Sequence, residues 1–281
     1  MTFLGKINNL KILKEKDFGL YLDGEELGEI LIPKRYVPEG VKIGESLDVF
    51  IYLDSEDRLI ATTEKPLAQV GDFALLKVVS VNQTGAFLDW GLPKNLMVPF
   101  REQKQPMEEG RSYVVKVYVD KETNRIVASA KLDNFLDNIP PEYEEGAEVE
   151  LFIVSETDLG YKAIINGFHW GMLYRNEVFQ KLNRGQKLTG YIKKVRTDGK
   201  IDLTLLKQGY EKVAPVAQKI LEYIKQKGGF ISFTDKTAPE IIYATFGVSK
   251  KVFKSAIGSL YRNGLIVIGN DGLTLTDEQG E

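Results

Sequence analysis

FALLKVVSVNQTGAFLDWGLPKNLMVPF occupies residues 73–100, and the chain resumes after Gly110 with SYVVKVYVDKETNRIVASA over residues 112–130. Short apolar runs alternate with Gly, Asn, Asp and Pro, the pattern of strands joined by tight turns. The runs Phe73–Val81, Ala86–Trp90, Leu96–Val98, Ser112–Val119 and Ile126–Ala130 predict five strands. So many strands in so short a segment leave exposed edges unless the sheet closes on itself. A small five-stranded barrel is expected, either of the OB type or SH3-like.

The same segment is one of three. Gly85 is followed fourteen residues on by Pro99 and eleven further on by Gly110; Gly19, Pro33 and Gly44 repeat both intervals, as do Gly160, Tyr174 and Gly185. Each set then runs into LDVFIYLD, YVVKVYVD or LTGYIKKV, a charged turn, and RLIAT, RIVAS or KIDLT. Two intervals and a strand-turn-strand ending preserved in triplicate indicate related modules, the third the most diverged. Their expected extents are 1–67, 68–136 and 145–207, with NFLDNIPPEYEEG, residues 134–146, as the clearest linker.

Beyond residue 209 the periodicity becomes helical. Val216, Ile220, Tyr223 and Ile224 recur at helical intervals after Pro215, a run that stops at Gly228 and Gly229. A short helix from Pro239 to Phe246, a Gly247-Val248-Ser249 turn and a third helix capped by Ser249 and ended near Gly264 follow. Two apolar runs, Leu265 to Ile268 and Leu273 to Leu275, flank a Gly-Asn-Asp-Gly turn and predict a hairpin. Residues 210–281 thus read as a winged helix.

Composition narrows the chemistry. The 281 residues are 43% hydrophobic, enough for packed cores, and include no Cys and a single His. Thiolate nucleophiles, disulfides, Cys-ligated zinc and His-rich metal sites are therefore excluded. Phosphate-loop, dinucleotide and nucleophile-elbow motifs are also absent, so a noncatalytic protein without a cofactor is expected. No uninterrupted apolar run suggests secretion or membrane insertion, and the cytoplasm is the expected location. The net charge of −3 is uneven: residues 1–69 hold nine bases and thirteen acids, whereas 159–209 hold ten bases and three acids. The basic stretches suit a polyanion, with solvated surface as the plain alternative.

The repeated unit resembles the S1 domain, an RNA-binding family with FGAF in one strand, a His in the next, and Asp and Arg near the last turn. The first module offers Phe18-Gly19-Leu20-Tyr21, Pro33, Asp54 and Arg58; the second offers Thr84-Gly85-Ala86-Phe87, Pro99, Asp120 and Arg125. The third has Leu159-Gly160-Tyr161-Lys162, Tyr174 and Lys200, so every copy departs from the family pattern. Three such modules before a winged helix containing FGVSKKVFKSAIGSLYRNGLI, residues 246–266, resemble the conserved virulence factor B family of bacterial RNA-binding regulators. The resemblance implies a mainly β chain with a C-terminal α/β domain: three tandem S1-like OB-fold barrels followed by a winged helix-turn-helix domain. It also implies a post-transcriptional role, with single-stranded RNA as the principal partner.

Unpaired bases stack on aromatic rings, which makes Phe87 the leading candidate, beside Arg125 and on the strand face opposite Ala86 and Leu88. An ordinary core aromatic is the competing reading. Phe18, Tyr21 and Arg58 are comparable in kind but lie in the acidic first module. Tyr174 stands where the family has His, with Lys162, Lys193, Lys194, Arg196 and Lys200 supplying charge around it. On the third helix Val252, Phe253, Ala256, Ile257 and Leu260 predict the buried stripe, leaving Lys250, Lys251, Lys254 and Arg262 outward. Lysines there suit backbone phosphate, including that of a duplex, better than base-specific readout. His169, without titratable neighbours in sequence, is assigned no function. Two other functions compete: a DNA-binding transcription regulator with the barrels as protein-interaction modules, and an adaptor on a ribonucleoprotein partner.

Overall fold

A computed structural model describes residues 1–178, 180–205 and 214–276. The chain divides into two units, Met1–Asn138 and Ile139–Glu281. The first unit holds barrel 1, made of β1 (Ile7–Lys16), β2 (Gly19–Asp23), β3 (Glu29–Pro33), β4 (Ser46–Leu53) and β5 (Leu59–Thr62). Barrel 2 follows with β6 (Phe73–Asn82), β7 (Gly85–Asp89), β8 (Leu96–Pro99), β9 (Ser112–Val119) and β10 (Ile126–Ser129). In the second unit, barrel 3 comprises β11 (Glu148–Thr157), β12 (Gly160–Ile165), β13 (His169–Tyr174), β14 (Lys187–Val195) and β15 (Ile201–Thr204). Each sheet closes in the order first-second-third-fifth-fourth, with third and fifth strands parallel. That order is the OB fold and excludes the SH3-like alternative.

The repeated intervals have steric causes. Gly19 pairs with Pro33, Gly85 with Pro99 and Gly160 with Tyr174 across the second and third strands. A Cβ on these glycines would lie 2.1, 2.3 and 2.0 Å from the carbonyl oxygens of Ile32, Val98 and Leu173, so only glycine fits. The third residue of each set closes the ring. Gly44, Gly110 and Gly185 donate their N–H to the carbonyls of Ile12, Val78 and Ile153, just before a bulge in each first strand. The bulge sharpens the local twist that a barrel of this size needs.

Barrels 1 and 2 are joined by packing as well as by chain. Phe50 and Tyr52 of β4 enter the apolar cluster of barrel 2, where Phe50 meets Trp90 edge-on at a centroid separation of 5.6 Å. The Trp90 indole N–H donates to the Lys94 carbonyl at 2.7 Å, satisfying its polar atom. Burial of Tyr52 pushes its phenol up to about 12.

The winged helix consists of α1 (Ala214–Gln226), β16 (Phe230–Ile231), α2 (Pro239–Phe246), α3 (Lys250–Arg262), β17 (Ile266–Ile268) and β18 (Leu273–Leu275). Ile220, Ile224, Ile242, Phe246, Phe253, Ala256, Ile257 and Leu260 form its core. Gly247 terminates α2 at a left-handed φ of 73°, and the Ser249 hydroxyl accepts the Val252 N–H to cap α3. Two details differ from expectation. The hairpin gains a third strand, β16, whose two residues are too short to show periodicity. Val252 is only half-buried and Ser259 is buried instead, because these positions flank the apolar stripe. The expected join between barrel 3 and the winged helix, residues 207–210, and residues 277–281 of the expected winged helix lie outside the described residues.

Candidate nucleic-acid interface

Barrel register aligns three sets of side chains. Two residues after the second-strand glycine stand Tyr21, Phe87 and Lys162, facing Lys14, Ser80 and Ser155 on one side and Leu31, Met97 and Met172 on the other. At the turn between the last two strands, Arg58, Arg125 and Lys200 accept at their carbonyls the N–H of Asp54, Asp120 and Arg196. Aromatic and cationic candidates therefore occupy corresponding places in all three folds, and their surroundings distinguish them.

In barrel 2, alternation along β7 buries Ala86 and Leu88 completely and leaves Phe87 half-exposed. Phe87 lines an open cavity of 540 Å³ with Met97, Lys94 and Arg125, bordered also by Tyr52 and Asp57 of barrel 1. The space is of the size that holds a small ligand. Arg125 donates to the Asp57 carboxylate, and the Lys94 ammonium lies 3.3 Å from the same group. The Arg125 guanidinium, aided by Lys94, holds the Asp57 carboxyl below the usual carboxylate range. Asp120, the acid of barrel 2's own turn, is engaged by Arg101 at 2.9 Å.

Barrel 1 keeps its aromatics and neutralises its cation. Phe18, in the β1–β2 turn, is 56% exposed and meets Tyr21 edge-on at 6.2 Å. Lys14 lies 4.9 Å from the Tyr21 ring centre and pairs with Glu29. Arg58 pairs with Asp54 at 2.7 Å and Glu56 at 2.8 Å. Its own turn therefore surrounds the guanidinium with two carboxylates.

Barrel 3 pairs part of its excess of bases internally. Its three acids in residues 159–209 each take one candidate cation: Glu177 pairs with Lys193, Asp198 with Lys200 at 2.9 Å, and Asp202 with Arg196 at 2.9 Å. The Tyr174 hydroxyl accepts from Arg196 at 2.6 Å and donates to Asp202 at 3.3 Å, so Tyr174 is held by an ion pair. Lys162 sits over the Trp170 ring, 3.6 Å from its centre. Lys194 is exposed and forms no ion pair among the described residues. Local charge counts miss these pairings because the partners converge only through strand register.

On α3, Lys251, Lys254 and Arg262 are exposed and Lys250 is half-buried. Lys254 lies 3.4 Å from Asp235, whereas Lys250 and Lys251 form no ion pair among the described residues. His169 is buried: its Nε2 lies 2.8 Å from the Ile139 carbonyl, which can only accept, so Nε2 carries the proton and Nδ1 accepts from the Tyr143 hydroxyl at 2.8 Å. Its role is to tie the start of the second unit to barrel 3. Among the described residues there is no group of three or more His, Asp and Glu placed to hold a metal, and no helix long and apolar enough to cross a membrane. Sequence reading missed Tyr52, Asp57 and Lys94, whose membership of the cavity depends on how two barrels pack.

Comparison with known proteins follows this layout. The S1 domain profile matches residues 4–64 and 70–131, the spans of barrels 1 and 2, and the CvfB-like winged helix domain profile matches residues 218–275. The chain is 29% identical over 276 residues to the Bacillus subtilis protein YitL, covering 93% of this chain and 90% of that protein. It is 23% identical to conserved virulence factor B of Staphylococcus saprophyticus, covering 98% and 95% of the two chains. A crystal structure from Streptococcus pneumoniae, titled as a multidomain protein with nucleic acid binding domains, is 25% identical and aligns over 97% of this chain and 98% of that one, with a TM-score of 0.41. With two S1 domains and a CvfB-like winged helix in one chain, and relatives of that name matching over 84–98% of its length, the protein is similar to the conserved virulence factor B family.

Proposed function

We propose that the protein is a noncatalytic, cytoplasmic RNA-binding regulator that holds single-stranded RNA against barrel 2 and supports it with the basic face of α3. The observation that carries this reading is the half-exposed Phe87 ring in a ligand-sized cavity with Arg125 and Lys94 at its wall. A ring face accepts any base by stacking, and two cations beside it suit the adjoining phosphate. The S1 profile over barrel 2 agrees with that chemistry.

Weak contacts at a barrel and at the winged helix reinforce each other when one strand spans both. Lys250 and Lys251 supply point charges without the planar, bidentate groups that read base edges, which favours backbone contact over operator recognition. The test is a comparison of labelled single-stranded RNA, single-stranded DNA and duplex DNA at one salt concentration. Tightest binding to single-stranded RNA, weakened by Phe87→Ala, is expected. Tightest binding to duplex DNA, unaffected by Phe87→Ala, would establish the transcription-regulator alternative.

A further inference from the structure

We propose that Asp57 of barrel 1 is a resident competitor for RNA phosphate at the barrel 2 cavity: it occupies Arg125 and Lys94 when the site is empty and is displaced by a phosphodiester when RNA binds. This rests on the reading of barrel 2 as the RNA site and adds an electrostatic gate to it.

Three observations converge. First, the corresponding cations of the other barrels are satisfied by acids of their own turn, Arg58 by Asp54 and Glu56, and Lys200 by Asp198. In barrel 2 the turn acid Asp120 is taken by Arg101, so Arg125 is paired instead with a carboxylate from another barrel. Second, Asp57 approaches both cations of the cavity, and its side chain and that of Arg125 are 38% and 55% exposed. An exposed pair of this kind is weak and readily exchanged for a stronger anion. Third, the turn beneath Asp57 is held without its carboxylate: the Asp57 N–H donates to the Asp54 carbonyl at 3.0 Å, and Lys94 donates to that same carbonyl at 2.6 Å. The side chain can therefore swing away while the barrel seam stays closed. A phosphodiester would take its place, with its base against Phe87.

The gate favours ligands that bring a stacking base together with a phosphate, since a phosphate alone must displace Asp57 without the help of stacking. Asp57→Asn tests it cleanly, because Asp57 has a φ of 60° and Asn tolerates that left-handed backbone as well as Asp does. The probe is a labelled oligouridylate of about 15 nucleotides, within the range of single-stranded site sizes. Asp198→Asn, which removes the same charge from barrel 3, serves as the control. Asp57→Asn is expected to tighten binding roughly two- to fivefold, the range of an exposed ion pair, while Asp198→Asn has a smaller effect. Equal tightening by both variants would reduce the effect to net charge and overturn the gate. If Asp57→Asn changes nothing while Phe87→Ala weakens binding, the gate is wrong and the barrel 2 site stands. If neither variant changes binding, the barrel 2 site itself is wrong and the gate falls with it.

Discussion

In barrel 2 the position two residues beyond the second-strand glycine is Phe87, and its turn cation Arg125 is held by a carboxylate of a neighbouring barrel. In barrel 3 the same positions are Lys162, seated on Trp170, and Lys200, held by Asp198 of its own turn. The backbones share strand order, bulge and glycine contacts, so the contrast lies in side chains and in the one extra residue of the turn from Asp120 to Arg125. A fold repeated three times need not repeat its site. Barrel 2 couples an aromatic face to a cation held by a carboxylate of another barrel, whereas barrel 3 has no ring at that position and pairs its turn cation within its own turn.

The shared scaffold gives the largest expected effect. Gly85→Ala and Gly160→Ala each push a Cβ into a backbone carbonyl at positive φ, at a cost of at least about 3 kcal/mol in both barrels. Trp90 and Trp170 place one fluorescent reporter in each barrel, so urea unfolding of single-tryptophan variants reads the two costs separately. A small cost in barrel 3 alone would break the equivalence of the scaffolds.

Phe87→Ala is expected to cost roughly 1–3 kcal/mol of RNA affinity with little change in salt dependence. Lys162→Ala is expected to do the opposite, a small loss of affinity and a salt slope flatter by at most about 0.7. Anisotropy titrations across a salt series separate them, and identical behaviour of the two variants would erase the contrast between barrels.

Replacing Lys250, Lys251 and Lys254 together is expected to flatten the salt slope by up to about 2, the value for three phosphate contacts on single-stranded nucleic acid. Lys254 contributes least because Asp235 already faces it. An unchanged slope would remove α3 from the interface.

The smallest effect concerns the first unit at high pH. Tyr52 and Tyr118 are pushed up to about 12 by burial, from an ordinary value of 10.0. A raised acid favours the neutral phenol in the folded state, so this stabilisation is complete below about pH 10 and disappears as pH climbs towards 12. Phenolate absorbance and the urea midpoint, followed together over that range, check it; ionisation of every tyrosine near pH 10 would contradict it.

Much of the fold was legible because its signals are steric and local. Gly85 and Pro99 keep their spacing because they face each other in a hairpin, and Ser249 announces α3 because a helix start needs an acceptor. β16 was invisible because two residues carry no period. The candidate site was legible only in part. Strand alternation turned Phe87 away from the buried Ala86 and Leu88, but Asp57 and Arg125 are 68 residues apart and meet through the packing of barrel 1 on barrel 2, Phe50 on Trp90 included. Counting charge in the third module does not tell which bases are paired, since Glu177, Asp198 and Asp202 reach Lys193, Lys200 and Arg196 only through the fold.

Ultraviolet crosslinking of the full chain to single-stranded RNA, with the attached residues mapped by mass spectrometry, is the most direct measurement. Attachment at Phe87 or its neighbours in β7 and β8, reduced by unlabelled RNA, is the expected result. Crosslinks confined to barrel 3 and α3, with β7 and β8 untouched, would contradict a barrel 2 site.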